Sequence, residues 1–262
     1  MYTVGIDVGS SSCKAVLWGN DRCEYVIIPT GWSPKQAGRE AYQKLLSQAG
    51  VVPNEVKYRV ATGYGRISLD FIDEAVTEIT CHAQGAKYLF PLAELIIDIG
   101  GQDSKVIVLN SRGGVVDFAM NDKCSAGTGK FLEIMANALG IDPAEIGATV
   151  TVQDPITISS MCTVFAETEV IGLLAEGIDK RRIIAGIHAA VAQRVANMAN
   201  RLGDFQVVVF TGGVAKNTGV KKKLSQLLGA ELLVPAEPQI VGALGAALIG
   251  WKKLIGGGLL WG

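Results

Sequence analysis

The sequence predicts an α/β protein built from two related units. Apolar runs of strand length alternate with stretches in which apolar residues recur at helical spacing, a pattern typical of sheets covered by helices. A strand, a glycine turn and a returning strand open the chain and occur again from Leu95 to Val108. The match pairs residues 91 positions apart: Asp7 with Asp98, Gly9 with Gly100, and Lys14 with Lys105. Because 262 residues suffice for two domains of modest size, we interpret the repeat as a duplication.

The first half of the chain is predicted to contain four strands and two helices. Residue types favoured in strands predict strands over 2–9, 13–18, 24–28 and 56–61. Apolar residues at helical spacing predict helices over 34–48 and 79–90, and Gly50 ends the first of them. A glycine loop, Thr62–Arg66, follows the fourth strand.

The second half is predicted to begin with the repeated hairpin and a strand over 114–118. Helices are predicted over 131–139, from just after Cys162 to about 176, over 179–202 and over 240–254. Asp142 and Pro143 resemble the cap and first residue of a further helix. A buried strand from Val207 leads into paired glycines, and a short strand is predicted over 232–234.

Three strands end in glycine turns whose shared form indicates a nucleotide site: Asp7–Ser10, Asp98–Gly101 and Thr211–Gly213. Glycine lets backbone N–H groups approach a phosphate closely, and a carboxylate at a strand end can hold Mg²⁺ through its water shell. Lys14 and Lys105 can supply point charges to phosphates. Simple tight turns are the alternative. Gly127–Lys130 is not a P-loop, because its glycine spacing is too short and Phe131 follows the lysine.

Cys124 and Cys162 each lie just ahead of a helical pattern, and we predict that each opens a helix, in a segment rich in Ser, Thr and Gly. The positive end of a helix and its free N–H groups stabilise a thiolate, or a metal cluster held by one. Ordinary free thiols are the alternative, because one chain offers two ligands where Zn²⁺ or a [4Fe–4S] cluster usually takes four. A twofold dimer would supply the missing pair.

The remaining cysteines and histidines are predicted to have packing roles. Cys13, Cys23 and Cys81 fit small core residues, and His82 and His188 lack nearby ligands at metal-binding spacing. Hydrophobic residues make up 49% of the chain and the net charge is -1, which predicts a compact soluble protein without a nucleic-acid partner. Five cysteines without regular spacing and the absence of a signal-peptide pattern predict a reducing cytoplasm. The apolar run over 240–250 is too short for a membrane helix.

Six segments together resemble the activator ATPases of 2-hydroxyacyl-CoA dehydratases and benzoyl-CoA reductases, within the actin, hexokinase and heat-shock chaperone superfamily. They are Asp7–Lys14, Asp98–Lys105, Asn121–Gly129, Ser159–Glu169, Ala185–His188 and Thr211–Ala215. The resemblance covers nearly the whole chain, and its cysteine segments are the most specific part. It implies two ribonuclease-H-like lobes around a nucleotide cleft. Residues 1–90, completed by a terminal helix over 240–262, would form lobe I, and 91–239 would form lobe II with both cysteines.

The resemblance also implies an activity and a set of site residues. The activity is ATP hydrolysis coupled to the transfer of a low-potential electron into a partner dehydratase or reductase, with ferredoxin or flavodoxin as donor. Cys124 and Cys162 of both subunits of a homodimer would hold one [4Fe–4S] cluster. The residues expected at ATP, ADP and Mg²⁺ are Asp7, Ser11, Ser12, Lys14, Asp98, Gly100, Gly101, Gly212 and Gly213. Gln102 and Asp103 are expected to place the attacking water.

Other functions remain open at this point. A small-molecule kinase of the same superfamily would explain the glycine turns but leave the two cysteines without a role. A reductase component for another iron–sulfur enzyme would keep both features. An actin-like filament or a nucleotide-sensing regulator would be a non-enzymatic alternative.

Overall fold

The computed structural model describes residues 1–148, 152, 154–160 and 162–256. The chain divides into two compact units. The first comprises Met1–Ala93, Leu109–Val116 and the chain from Gln239, and the second comprises Glu94–Val108 and Asp117–Pro238. The lobe boundaries stay a prediction, and residues 257–262 of the predicted terminal helix lie outside the described residues, as does Met161.

Ten strands and seven α-helices are found in the described chain. The strands are β1 (Tyr2–Val8), β2 (Ser12–Gly19), β3 (Arg22–Pro29), β4 (Val56–Thr62), β5 (Glu74–Ala75), β6 (Leu95–Ile99), β7 (Ser104–Leu109), β8 (Val115–Asn121), β9 (Val208–Thr211) and β10 (Leu232–Leu233). The helices are α1 (Pro34–Ala49), α2 (Glu78–Leu89), α3 (Gly129–Leu139), α4 (Thr163–Ala175), α5 (Lys180–Asn200), α6 (Thr218–Leu228) and α7 (Val241–Leu254). No helix of the described chain is long and apolar enough to span a bilayer.

The first sheet has the strand order β3-β2-β1-β4-β5, with β1 antiparallel to β2 and parallel to β4. Helix α1 begins because the Ser33 hydroxyl accepts the Gln36 amide and Pro34 fits the first helical position. It packs on one face of the sheet, where Leu45 contacts the core formed by Val4 and Ile6. Helix α7 covers the other face, and the sheet is therefore buried on both sides.

The second sheet has the order β10-β9-β6-β7-β8. Read from β8, this order repeats that of the first sheet. The central strand β6 is antiparallel to β7 and parallel to β9, and β10 is parallel to β9. Helices α3, α4 and α5 pack against this sheet and form a single hydrophobic core with it. The core includes Phe131, Val170, Ile187 and Phe210. The prediction of an α/β protein with two ribonuclease-H-like lobes of the actin-like type is confirmed.

Three predictions about local structure are wrong. Cys23 is exposed rather than in the core, because it lies on the edge strand β3. Asp142 does not begin an α-helix; its carboxylate accepts the Ala144 amide in a turn that leads to a short 3₁₀ helix, Glu145–Gly147. Cys124 does not open α3 directly, since the cap is Thr128 and the cysteine stands four residues before it.

Candidate functional site

A buried ion pair lies at the carboxyl end of β1 in the first unit. Asp7 is 6% exposed and faces Lys14 across the β1–β2 hairpin, with 3.1 Å between Oδ2 and Nζ. Thr62 is its partner on the other side, in the parallel strand β4. Gly63 follows at φ +88°, and a Cβ there would stand 2.5 Å from Asp7 Oδ1. Only glycine allows this approach, so the backbone is packed onto the carboxylate.

The second unit contains the same arrangement at the end of β6. Asp98 is 4% exposed and lies 3.6 Å from Lys105 Nζ across the β6–β7 hairpin. Thr211, in the parallel strand β9, donates from its hydroxyl to Asp98 Oδ1 at 2.9 Å. Gly212 has φ +84°, and a Cβ there would lie 2.3 Å from the Ile99 carbonyl oxygen. Both units therefore place one carboxylate, one ammonium group and one threonine at a strand end.

The turns after these carboxylates also match. The Gly9 amide donates to the Ser12 carbonyl at 3.1 Å, and the Gly100 amide donates to the Asp103 carbonyl at 2.9 Å. The tips of both turns are exposed, at Ser11 and Gln102 respectively. Exposed backbone and hydroxyl groups beside a buried ammonium group are suited to bind phosphate oxygens.

Asp103 differs from its counterpart Ser12 in carrying a charge. Its Oδ2 accepts a hydrogen bond from Lys105 Nζ at 2.5 Å, so Lys105 serves two carboxylates. The side chain of Lys105 is 3% exposed, and its charge is balanced inside the protein rather than by water.

The third glycine turn is held differently: the Gly212 amide donates to the Pro238 carbonyl at 3.0 Å, and Gly213 begins a short 3₁₀ helix.

The glycine turn after β6, which includes Gly100 and Gly101, is hydrogen-bonded directly to the first turn of α3. The amides of Gly129 and Lys130 donate to the carbonyls of Gly100 and Gly101 at 2.9 and 2.7 Å. The preceding residue, Thr128, donates from its hydroxyl to the Ser125 carbonyl at 2.6 Å. These bonds run from the turn into the Cys124 loop.

The two cysteine segments are adjacent to each other in the second unit. Cys124 is half-buried, and Asn121 donates from its amide group to the Cys124 carbonyl at 2.9 Å. Cys162 is exposed and occupies the N-cap position of α4, so the free N–H groups of that helix follow it. The hydroxyls of Ser125 and Thr163, each next in sequence to a cysteine, lie 2.9 Å apart.

The two cysteines are not part of a larger cluster of metal-binding side chains within the described residues. Among the described residues, no group of three or more His, Cys, Asp or Glu side chains is placed to hold a metal. Val164 and Phe165, directly after Cys162, are 66% and 67% exposed. An exposed thiol beside exposed apolar side chains fits a contact with another protein surface.

The loop before Cys162 is held by a carboxylate of α4. Glu169 accepts the amides of Ser159 and Ser160 at 2.8 and 2.9 Å. Burial acts to raise the pKa of Glu169, but these hydrogen bonds outweigh it and hold that pKa below its usual value. Glu169 therefore stays ionised and fixes the loop on the helix.

The remaining cysteines and histidines differ from this pair in their surroundings. Burial raises the pKa of Cys13 and of Cys81 to about 12, which keeps both thiols protonated. His188 is buried, with Nε2 at 2.6 Å from the Ile146 carbonyl oxygen. Burial lowers the pKa of His188 below its usual value, against the effect of that hydrogen bond.

Four residues that make these contacts were given no role of their own from the sequence: Thr62, Thr211, Ser125 and Thr163. A signal existed for the first two, because Thr-Gly follows a strand in both halves of the chain. None existed for the contact between Ser125 and Thr163, since a pair of hydroxyls 38 positions apart has no recognisable pattern.

Two sheets of the same order, each with a carboxylate and a glycine turn at its strand ends, define a duplicated nucleotide-binding protein of the actin-like class. Residues 4–250 match the model of the BadF/BadG/BcrA/BcrD ATPase family, and the chain belongs to that family.

Curated relatives and a solved structure agree with this assignment. The chain is 46% identical over 259 residues to "Activator of lactoyl-CoA dehydratase" from Anaerotignum propionicum, covering 96% of this chain and 98% of the relative. It is also 46% identical over 259 residues to "(R)-2-hydroxyglutaryl-CoA dehydratase activating ATPase" from Acidaminococcus fermentans, covering 97% and 98%. The activator of the 2-hydroxyisocaproyl-CoA dehydratase from Clostridium difficile, solved with bound ADPNP, superposes with a TM-score of 0.92 at 40% identity, covering 98% of this chain and 96% of the other.

Proposed function

We propose that this ATPase activates a 2-hydroxyacyl-CoA dehydratase, or a related reductase, by delivering a low-potential electron to it. The family match and the names of relatives at 46% identity support this activity. One observation in the second unit carries the coupling between ATP and the cysteines. The hydrogen bonds of the α3 start connect the phosphate turn at Gly100 and Gly101 with the loops that bear Cys124 and Cys162.

ATP and Mg²⁺ are proposed to bind at the strand-end turns. Asp7 and Asp98 would organise Mg²⁺ through its water shell, since each is a carboxylate at a strand end. The phosphate contacts would come from Ser11, Ser12, Lys14, Gly100 and Gly101. Gly212 and Gly213 would lie by the adenosine. The nucleotide analogue bound to the C. difficile relative supports a nucleotide site in this fold.

Gln102 and Asp103 are proposed to place the attacking water. Asp103 is paired with Lys105 at 2.5 Å, which fixes the direction of its carboxylate. Gln102 is exposed at the tip of the turn and has an amide that can both donate to and accept from a water molecule. Removing Gln102 is therefore expected to affect hydrolysis rather than folding.

Cys124 and Cys162 fit one half of a cluster site. Two thiolates per chain match a [4Fe–4S] cluster shared by a homodimer, because such a cluster takes four cysteines. A bound cluster would supply a one-electron carrier, reduced by a ferredoxin or flavodoxin. The N–H groups at the start of α4 follow Cys162 and would offset the negative charge of thiolates there.

The path of hydrogen bonds gives the nucleotide a way to act on the thiols. With the phosphates bound at Gly100 and Gly101 as proposed, exchange of ATP for ADP would change the charge beside this turn. The carbonyls of both glycines accept hydrogen bonds from the first turn of α3. A shift of α3 would act on the Ser125 carbonyl through Thr128, and on Thr163 through the Ser125 hydroxyl. These hydrogen bonds connect the two sites physically. The free energy of coupling between nucleotide and thiols has to be measured by mutation.

Anaerobic purification followed by iron and sulfide analysis tests the cluster. We expect about four irons per two chains, and the loss of iron in Cys124→Ser and Cys162→Ser. Cys23→Ser is the matched control, because Cys23 is also an exposed free cysteine. Iron that survives in both of the first two variants, or is lost equally in the control, would contradict the assignment.

The activation itself is tested with a 2-hydroxyacyl-CoA dehydratase, ATP and a reduced ferredoxin. We expect dehydration to require ATP and the intact chain together. Ser125→Ala should keep the iron and the ATPase activity but lower the activation per ATP hydrolysed, because it breaks the contact with Thr163. A colourless protein that phosphorylates a small molecule would instead establish a kinase.

A further inference from the structure

A cavity lies wholly within the second unit. Its volume is about 740 Å³, within the range of small-molecule sites. It is bounded by α5, the start of the Cys124 loop, the loop before Cys162 and the outer part of α6. None of the residues proposed for ATP, Mg²⁺ or the cluster is among those that line it.

The charged side chains that line this cavity are all positive. Arg194, Arg201 and Lys223 line it, and the described residues of its lining include no aspartate or glutamate. In the part of the chain that the structure describes, none of these three cations forms an ion pair with a carboxylate. Lys223 and Arg194 are half-buried, so their charges are only partly screened by water. The cavity is therefore complementary to an anion.

The rest of the lining is mostly apolar and small. Phe131, Ile156, Met198 and Leu227 contribute apolar surface, and the small side chains of Ala189 and Ala190 leave space along α5. Gln193 and Asn197 add amide groups at one wall and are hydrogen-bonded to each other at 2.9 Å. Apolar walls with a few convergent polar groups are typical of sites for organic ligands.

The walls are fixed by contacts on two sides. The loop before Cys162 is held at Asp154, whose Oδ2 accepts a hydrogen bond from Arg182 Nη2 at 2.5 Å. Further along the loop, Ile156 packs closely on Gly186 of α5: a Cβ added at Gly186 would lie 2.2 Å from the Ile156 carbonyl oxygen. Glu169 holds the end of the same loop. The wall of the cavity that this loop forms is therefore held in place at both of its ends.

We propose that this cavity binds an amphipathic organic anion, with its acidic group at Arg194 and Lys223 and its apolar part against Phe131 and Met198. An acidic group alone would leave the apolar wall uncovered, and a neutral apolar molecule would leave the cations without a partner. The volume of about 740 Å³ is that of a site for a small molecule. The binding depends neither on ATP nor on the cluster.

The probe is 8-anilinonaphthalene-1-sulfonate, titrated into the purified full chain and followed by its fluorescence. We expect one saturable site per chain. The uncharged analogue N-phenyl-1-naphthylamine should bind more weakly. Arg194→Gln and Lys223→Gln should each raise the dissociation constant of the sulfonate about tenfold, because each removes a charged hydrogen-bond donor. Neither should change the binding of the neutral analogue.

Lys222→Gln is the matched control, since Lys222 is exposed on the same helix and does not line the cavity. Ala190→Trp, which fills the space without removing a charge, should abolish binding of both probes. Equal weakening by Lys222→Gln and Lys223→Gln would overturn the site, and so would a titration that never saturates. Release of the sulfonate as the chain self-associates, seen by sedimentation, would show a contact between copies instead and would also overturn it.

Discussion

The hydrogen bond between Thr211 and Asp98 gives a direct test of what stabilises the strand ends of the second unit. Thr211→Val keeps the shape of the side chain and removes the hydroxyl that donates to Asp98 Oδ1 at 2.9 Å. Both residues are buried, at 0% and 4% exposure. A hydrogen bond to a charged group contributes about 2 kcal/mol, so we expect the free energy of unfolding to fall by that amount. Urea titration of the iron-free chain, followed by circular dichroism, measures the change.

Thr62 is the matched control, because it occupies the same position relative to Asp7 in the first unit. Its hydroxyl is buried and, within the described residues, forms no hydrogen bond of normal geometry. The Cys81 thiol, a weakly hydrogen-bonding group, lies near it. Thr62→Val should change stability by less than about 0.5 kcal/mol, since little is lost and an unsatisfied polar group is removed. If the two variants are equally stable, the argument from the Asp98 contact is refuted.

Three further outcomes are expected. Gln102→Ala should lower the ATPase rate without changing the melting temperature, and an unchanged rate would remove Gln102 from the hydrolytic site. Lys105→Met should lower the melting temperature more than Lys14→Met, because it leaves both Asp98 and Asp103 without their shared buried cation. Equal melting temperatures of the two variants would contradict this. The pKa of Glu169 is depressed in the folded chain, so its stabilising effect is present above the unfolded pKa and is lost as pH falls through the folded value. Glu169→Gln should therefore flatten the acid limb of a stability-against-pH curve, and a parallel curve would argue against that role.

Local signals account for the elements that the sequence predicted well. Ser33 and Pro34 begin α1, and Gly50, at φ +64°, ends it, because capping depends on residues within one turn. Asp179 caps α5 in the same way. The two-residue strand β5 was not predicted, since its short sequence carries no alternation and it exists by pairing with β4. Cys23 was misplaced because an edge strand and a central strand have similar residue types.

The candidate site divides along the same line. The Asp, Gly and Lys of each hairpin were found because the turn that joins them spans few residues. The role of Gln102 and Asp103 could be proposed from their place in that turn, but the 2.5 Å contact between Asp103 and Lys105 depends on side-chain packing. The cavity at Arg194 and Lys223 was not foreseen, because its walls come from segments that are distant in sequence.

The amino-acid sequence alone determined the α/β class, the duplicated hairpin and the two cysteines that precede helices. Each of these follows from interactions between residues close along the chain. The tertiary structure decided which threonine reaches which carboxylate and which hydroxyls join the cysteine loops. Thr211 and Asp98 are 113 positions apart, and Ser125 and Thr163 are 38 apart. Such pairs are brought together by strand register and by the burial of a shared core, which depend on the whole unit at once.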